Sequence, residues 1–165
     1  MNLTPKQTNA IHDRESYRTP PHVMRYVCER WEPPELDVAA ASGNKQAARY
    51  FTAADDALTC SWESRGLVWC NPPYTRPGPW VDKAVEERTR ARLIVMLLPA
   101  AVDTKWWRVL HRRASEVIHI WPRVCFLDPD TLKPYGRPPG GVALVVFDRH
   151  SLAMSCRYSH VELRA

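Results

Sequence analysis

No apolar run in this chain of 165 residues approaches the roughly 20 residues needed to span a bilayer. The first 16 residues are polar and lack the apolar centre of a secretion signal, so export is not expected. Five cysteines (Cys28, Cys60, Cys70, Cys125, Cys156) are odd in number and scattered, with no pair at metal-ligand spacing. They read as reduced thiols of a cytosolic protein, which argues against a disulfide scaffold and against a structural zinc site. No histidine pair has metal spacing either, since His111 and His119 fall on different elements. There is no serine or cysteine nucleophile motif and no internal repeat. Glycine is scarce at six residues, and Gly-x-Gly occurs nowhere, so the usual dinucleotide-binding loop is missing.

What the chain has instead is proline, 15 residues, in clusters that stop secondary structure, and seven tryptophans, enough to serve both a core and the lining of a cleft for a flat ligand. The length fits one domain, and 45% hydrophobic residues supply its core. A net charge of +5 is mildly basic, compatible with a polyanionic partner and equally with none.

Residues 1–16 read as a polar arm. Thr19 suits a helix N-cap and Pro20 the first turn. Val23, Tyr26, Val27 and Arg30 follow at helical spacing, which predicts a helix over 20–30. Leu36–Ala40 reads as a short strand ending in small residues. Ala41-Ser42-Gly43-Asn44 then turns into a short helix, Lys45–Tyr50, and small residues at such a turn let a ligand approach the backbone. Trp62 is expected in the core. An amphipathic helix is predicted over about 79–90, a buried, most economically parallel strand at Leu93–Leu98, a helix from Asp103 or Thr104 to Arg113, and strands at Val117–Trp121 and Val142–Phe147. Between those last strands, 122–141 is a Pro/Gly-rich, hairpin-like loop carrying Arg123, Lys133, Tyr135 and Arg137, and loops of that length are usually functional or mobile. Residues 149–165 form a tail in which the alternation of Tyr158–Leu163 hints at an edge strand. The alternation of strands and helices predicts an α/β fold with a doubly wound, mostly parallel sheet.

The stretch that carries chemistry is Leu67-Val68-Trp69-Cys70-Asn71-Pro72-Pro73-Tyr74. A buried strand stops abruptly at two prolines, which lack N–H donors, and Pro72 forces Asn71 into an extended conformation. The Asn71 side-chain carbonyl and the Pro72 backbone carbonyl are two acceptors able to receive both hydrogens of one amino group. An exocyclic amine on a planar ring is a poor nucleophile, because its lone pair is delocalised. Two acceptors draw it towards tetrahedral geometry and stabilise the positive charge it develops as it attacks. The flat ring of Tyr74 suits stacking on such a group. Nearby, Arg76 is placed either to reach a phosphate or to face solvent.

This ordered set resembles the small phage-type DNA N-6-adenine methyltransferases. It comprises Tyr17-Arg18-Thr19-Pro20-Pro21, Leu36–Ser42, Asp55-Asp56-Ala57-Leu58 with Trp62, Asn71-Pro72-Pro73-Tyr74, Met96–Ala100 and Asp103–Trp106. The similarity runs from about Tyr17 to about Asp148, and 17–148 is the methyltransferase domain it implies. It also implies a single-domain Rossmann-like fold, S-adenosyl-L-methionine as cofactor and DNA as partner. The location implied is the cytoplasm of a bacterial host, with phage or prophage origin. Asn71, Pro72, Pro73 and Tyr74 would be catalytic. Tyr17 and Thr19 would close over the methionine end of the cofactor, the alternative for that segment being a plain helix cap. Asp37 would accept from the methionine amino group, with Ala39 beside it, or act only as a turn carboxylate. Asp56 would accept from the cofactor adenine amino group, unless both aspartates there are simply solvated. Arg76, Arg123, Lys133 and Arg137 would contact DNA, with Phe126 either a second wall for an extruded base or part of the core. The missing Gly-x-Gly departs from classical enzymes, and leaves the alanines and Gly43 to serve. Two alternatives stay open: methylation of another planar amine (cytosine N4, an RNA base, a protein glutamine), or a non-catalytic basic nucleic-acid-binding domain.

Overall fold

The computed structural model describes residues 18–41, 43–135, 140–151 and 155–164. The elements run α1 (Pro21–Arg30), β1 (Pro34–Asp37), β2 (Arg49–Tyr50), β3 (Ser64–Cys70), α2 (Pro77–Glu87), β4 (Ala91–Pro99), α3 (Lys105–Arg113), β5 (Glu116–Trp121), β6 (Val142–Asp148) and β7 (Arg157–Glu162). They build one seven-stranded sheet in the order β2-β1-β3-β4-β6-β5-β7. Only β6 runs against its neighbours, β4 and β5; the other pairings are parallel. The α/β, mostly parallel, Rossmann-like arrangement expected from the sequence is therefore present.

β4 shows why its sequence is apolar from Leu93 to Leu98. Ile94, Met96 and Leu98 point to one face and pack with Val81 and Ala84 of α2 and with Trp107 and Leu110 of α3. Leu93, Val95 and Leu97 point to the other face and pack with Val23, Met24 and Val27 of α1 and with Val124 and Phe126. A strand covered on both faces has no polar side to show. β5 is parallel to β4, so the segment after Trp121 leaves at the same edge of the sheet as the Asn71 corner. It returns as β6 from Val142, paired with Pro99. That is how residues 122–135 come to stand beside the corner.

Two local expectations are corrected. Lys45–Tyr50 is not a helix: the chain turns at 43–44 and ends as β2 beside β1. Six residues are too few to sustain a helix alone, and here the Gln46 and Phe51 N–H groups bond to the Asp37 carboxylate and carbonyl instead. Thr19 does not cap α1. Pro20 occupies the N-cap with no side-chain cap, and Pro21 at the first helical position has no N–H to offer. The edge strand hinted at by the alternation in Tyr158–Leu163 is present, with β7 completing the sheet as its outer strand. Trp62 is fully buried, as expected.

The segment before β3 is tied to α2 by a buried carboxylate. Glu87 accepts from the Trp62 N–H at 3.1 Å, from Lys83 at 2.7 Å and from Arg90 at 3.2 Å. Burial pushes its carboxyl up, but the Lys83 and Trp62 hydrogen bonds and the two cations outweigh this and hold it below the usual glutamate range. A depressed pKa means stability present at neutral pH and lost on acidification. Glu87→Gln should lose about 3 kcal/mol at neutral pH. Denaturant titrations across pH should show that deficit closing as pH falls below the ordinary glutamate value; a deficit independent of pH would mean the charge is not what matters.

Candidate active site

β3 ends at Cys70 because Pro72 and Pro73 follow. The pairings Asp37 with Trp69 and Cys70 with Met96 place Asn71 at the carboxyl edge of the parallel strands, where α/β sheets bind ligands. Asn71 Nδ2 donates to Thr19 Oγ1 at 3.1 Å, across 52 residues of sequence. Thr19 is buried. With the amide nitrogen turned to Thr19, the amide oxygen is turned away from it.

Residues 18–20 form a strap that ties three parts of the site together. Arg18 exchanges both backbone hydrogen bonds with Leu127 at 3.1 Å, which joins the strap to the loop after β5. Its guanidinium donates to the Gly43 carbonyl at 2.7 Å, which joins it to the loop after β1. A Cβ on Gly43 would stand 2.8 Å from Arg18 Nη2. The one glycine of that loop thus leaves room for the Arg18 guanidinium, while Ala39, Ala40 and Ala41 face the cavity.

That cavity, about 470 Å³, opens between the loop and the corner. Its wall includes the three alanines, Asp56, Asn71 and Trp80. The two neighbouring aspartates divide their roles. Asp55 accepts from the Thr52 N–H at 2.7 Å and the Thr52 hydroxyl at 2.8 Å, and these bonds hold its carboxyl below the usual range. Asp56 lies on the cavity wall with φ of 49°, a left-handed conformation that aspartate tolerates better than most residues. Trp80, its ring centroid 6.2 Å from that of buried Trp62, closes the wall. The sequence read Trp80 only as part of a helix face, and Asn44 and Leu58 only as members of the turn after β1 and of the Asp55-Asp56-Ala57-Leu58 segment; Thr52, also on the wall, carried no signal.

Tyr74 is half-buried, and Phe126 stands edge-on to it at 5.7 Å and 88°. Phe126 is 1% exposed. Perpendicular rings cannot sandwich a base between them, so Phe126 is corrected from a facing wall to a support for the Tyr74 ring. The Tyr74 hydroxyl is buried without a hydrogen-bond partner among the described residues. Burial, with a smaller contribution from Cys70, pushes its pKa well up. The loop carrying Phe126 is ordered around Asp128, whose carboxylate accepts from the N–H groups of Thr131 and Asp130 and from the Thr131 hydroxyl. Arg76, Arg123 and Lys133 are exposed around this edge. Tyr17 and Arg137 lie outside the described residues.

Asp37 sits beneath the loop after β1, not on the cavity wall. Its oxygens accept from Ala39 N–H at 3.1 Å and Gln46 N–H at 2.9 Å. No group of three or more metal-ligating side chains occurs among the described residues, and no helix there is long and apolar enough to cross a membrane.

Comparison with known proteins agrees with this geometry. The family described as DNA N-6-adenine-methyltransferase (Dam) matches residues 6–164. A DNA N-6-adenine-methyltransferase of Escherichia phage T1 is 36% identical over 107 residues, 65% of this chain and 45% of that protein, so the chain spans under half of that relative's length. Another, of Haemophilus phage HP1, is 29% identical over 161 residues, 96% of this chain and 92% of that protein.

Asp37 titrates in an accessible range. Burial raises its pKa to about 6, against the two backbone hydrogen bonds that lower it. A raised pKa means that its contribution to stability is complete below the unfolded-state value and lost as pH rises through about 6. The stability of the wild type relative to Asp37→Asn should therefore fall by up to about 3 kcal/mol across that window. Unfolding measured for both proteins at successive pH values checks this; a difference that stays flat would place the titration elsewhere.

Proposed function

The chain belongs to the DNA N-6-adenine-methyltransferase (Dam) family, and on that premise we propose that it methylates the N6 amino group of a DNA adenine turned out of the duplex into the Asn71 corner. The observation that carries this reading is the convergence of a cavity lined by small residues and one carboxylate on the same asparagine that ends β3. The residues present fit S-adenosyl-L-methionine. Three alanines allow close approach to the backbone, Asp56 offers an acceptor to an adenine amino group, and Trp80 offers a flat wall. When bound there, the cofactor would supply a sulfonium methyl: the N–C bond would form as the C–S bond breaks with its electron pair left on sulfur, and the surplus N6 proton would pass to solvent.

The protein's own part is alignment and electrostatics. The Asn71 amide oxygen and the Pro72 carbonyl accept the two N6 hydrogens, which localises the lone pair and stabilises the charge formed on nitrogen. Thr19 acts as a positioning residue: by accepting from Nδ2 it holds the amide in an orientation that presents oxygen to the base. Tyr74, braced by Phe126, stacks on the extruded adenine and offsets part of an unpairing cost of a few kcal/mol. Asp37 holds the loop whose alanines line the cofactor cavity. Arg76, Arg123 and Lys133 hold phosphates at the rim. The place of action is the bacterial cytoplasm, where phage or prophage DNA is replicated.

Labelled S-adenosylmethionine incubated with unmethylated duplex DNA should yield N6-methyladenine on nucleoside analysis. Asn71→Ala should lose turnover by orders of magnitude while binding the cofactor as the wild type does. Label on cytosine would change the target and keep the mechanism; normal turnover in the variant would end the acceptor role of Asn71.

A further inference from the structure

A second strongly polar region lies at the opposite edge of the sheet. β6 is antiparallel to β4, and Asp148 pairs with Leu93 near the start of β4, so residues 148–151 stand at the end of the sheet away from the Asn71 corner. A cleft of about 290 Å³ opens there, and four arginines from separate segments converge on it: Arg88 after α2, Arg112 and Arg113 at the end of α3, and Arg149 after β6. A groove lined by Lys105 and Arg108 continues along α3 and shares Arg112 and Arg113 with the cleft. Asp148 also lines the cleft, with one carboxylate oxygen accepting from the His150 N–H at 2.9 Å.

The plain reading is a solvated basic face, with cations at a helix C-terminus complementing the helix dipole. It accounts for Arg112, Arg113 and Arg88, which is the C-cap of α2 and donates to the Arg113 carbonyl at 3.3 Å. It does not account for Lys105, which begins α3, where the dipole disfavours a cation, for Arg108 within the helix, or for Arg149, which follows a strand. Seven ion pairs neutralise charge elsewhere in the described residues, and none includes any of these six cations. From Lys105 to Arg113 the track runs about 12 Å along the helix, longer than one phosphate, which favours a polymer backbone over a free anion.

We propose that this cleft and groove form a second phosphodiester-binding site, which takes a stretch of DNA backbone other than the one presenting the adenine. The proposal rests on DNA being the substrate. The site reads no base; it holds the protein to DNA through charge while the catalytic edge samples adenines.

The test is the salt dependence of binding to a long duplex, measured by fluorescence anisotropy, for the wild type and Arg112→Gln/Arg149→Gln. Both side chains belong to exposed residues, and equal unfolding midpoints verify the fold. The double variant should show a log–log slope shallower by about two phosphate contacts, while Arg112→Lys/Arg149→Lys, which keeps the charge, should restore the wild-type slope. Superimposable slopes and affinities for the glutamine variant would overturn the proposal. So would stabilisation of the wild type by millimolar inorganic phosphate that the glutamine variant loses while still binding duplex normally, since that marks a small-anion site. Binding is read here, not methyl transfer, so an inactive Asn71 corner and an empty second site would be told apart.

Discussion

The hydrogen bond from Asn71 Nδ2 to Thr19 Oγ1 is the contact that joins the corner to the rest of the site. A carboxamide presents a donor or an acceptor according to which way it is turned, and an exocyclic amine needs the acceptor. The two prolines fix the backbone, but they leave the amide free to turn over. Thr19 anchors the amide from a position 52 residues away, accepting from its nitrogen, and it is itself held because Arg18 is locked to Leu127 on one side and to Gly43 on the other. The position of one side chain therefore depends on the strap, on the loop after β1 and on the loop after β5. A movement of the loop after β5 reaches Asn71 through Arg18 and Thr19.

The same constraint explains where glycine is spent. Classical cofactor loops use glycines so that the ligand can touch backbone. Here alanines meet that need on the cavity wall, and Gly43 makes room for a guanidinium. The missing Gly-x-Gly is thus a redistribution of small side chains, not a lost cavity.

The corner was legible in the sequence because its geometry is local: an apolar run followed by two prolines leaves one conformation for Asn71. β4 was legible for a similar reason, since a run of six apolar residues, Leu93–Leu98, ended by proline has few other homes. The role of Thr19 was not legible. As a residue before two prolines it satisfied the rules for a helix cap, and only the folded chain shows its hydroxyl turned to Asn71. Lys45–Tyr50 misled because its helical character is too short to compete with the acceptors of Asp37. Trp80 was hidden inside a helical pattern, and the convergence of Arg88, Arg112 and Arg149 depends on the reversed direction of β6, which no local pattern announces.

The most direct test of the orientation claim uses Asn71→Asp, whose side chain has two equivalent acceptors and needs no selection. Single-turnover methyl transfer would be measured for Thr19→Val in the wild-type and Asn71→Asp backgrounds at saturating cofactor. Thr19→Val should slow transfer about tenfold or more beside asparagine, equivalent to at least about 1.4 kcal/mol, and far less beside aspartate. Equal slowing in both backgrounds would contradict the account, and would leave Thr19 a residue that acts on the cofactor or the fold without acting through Asn71.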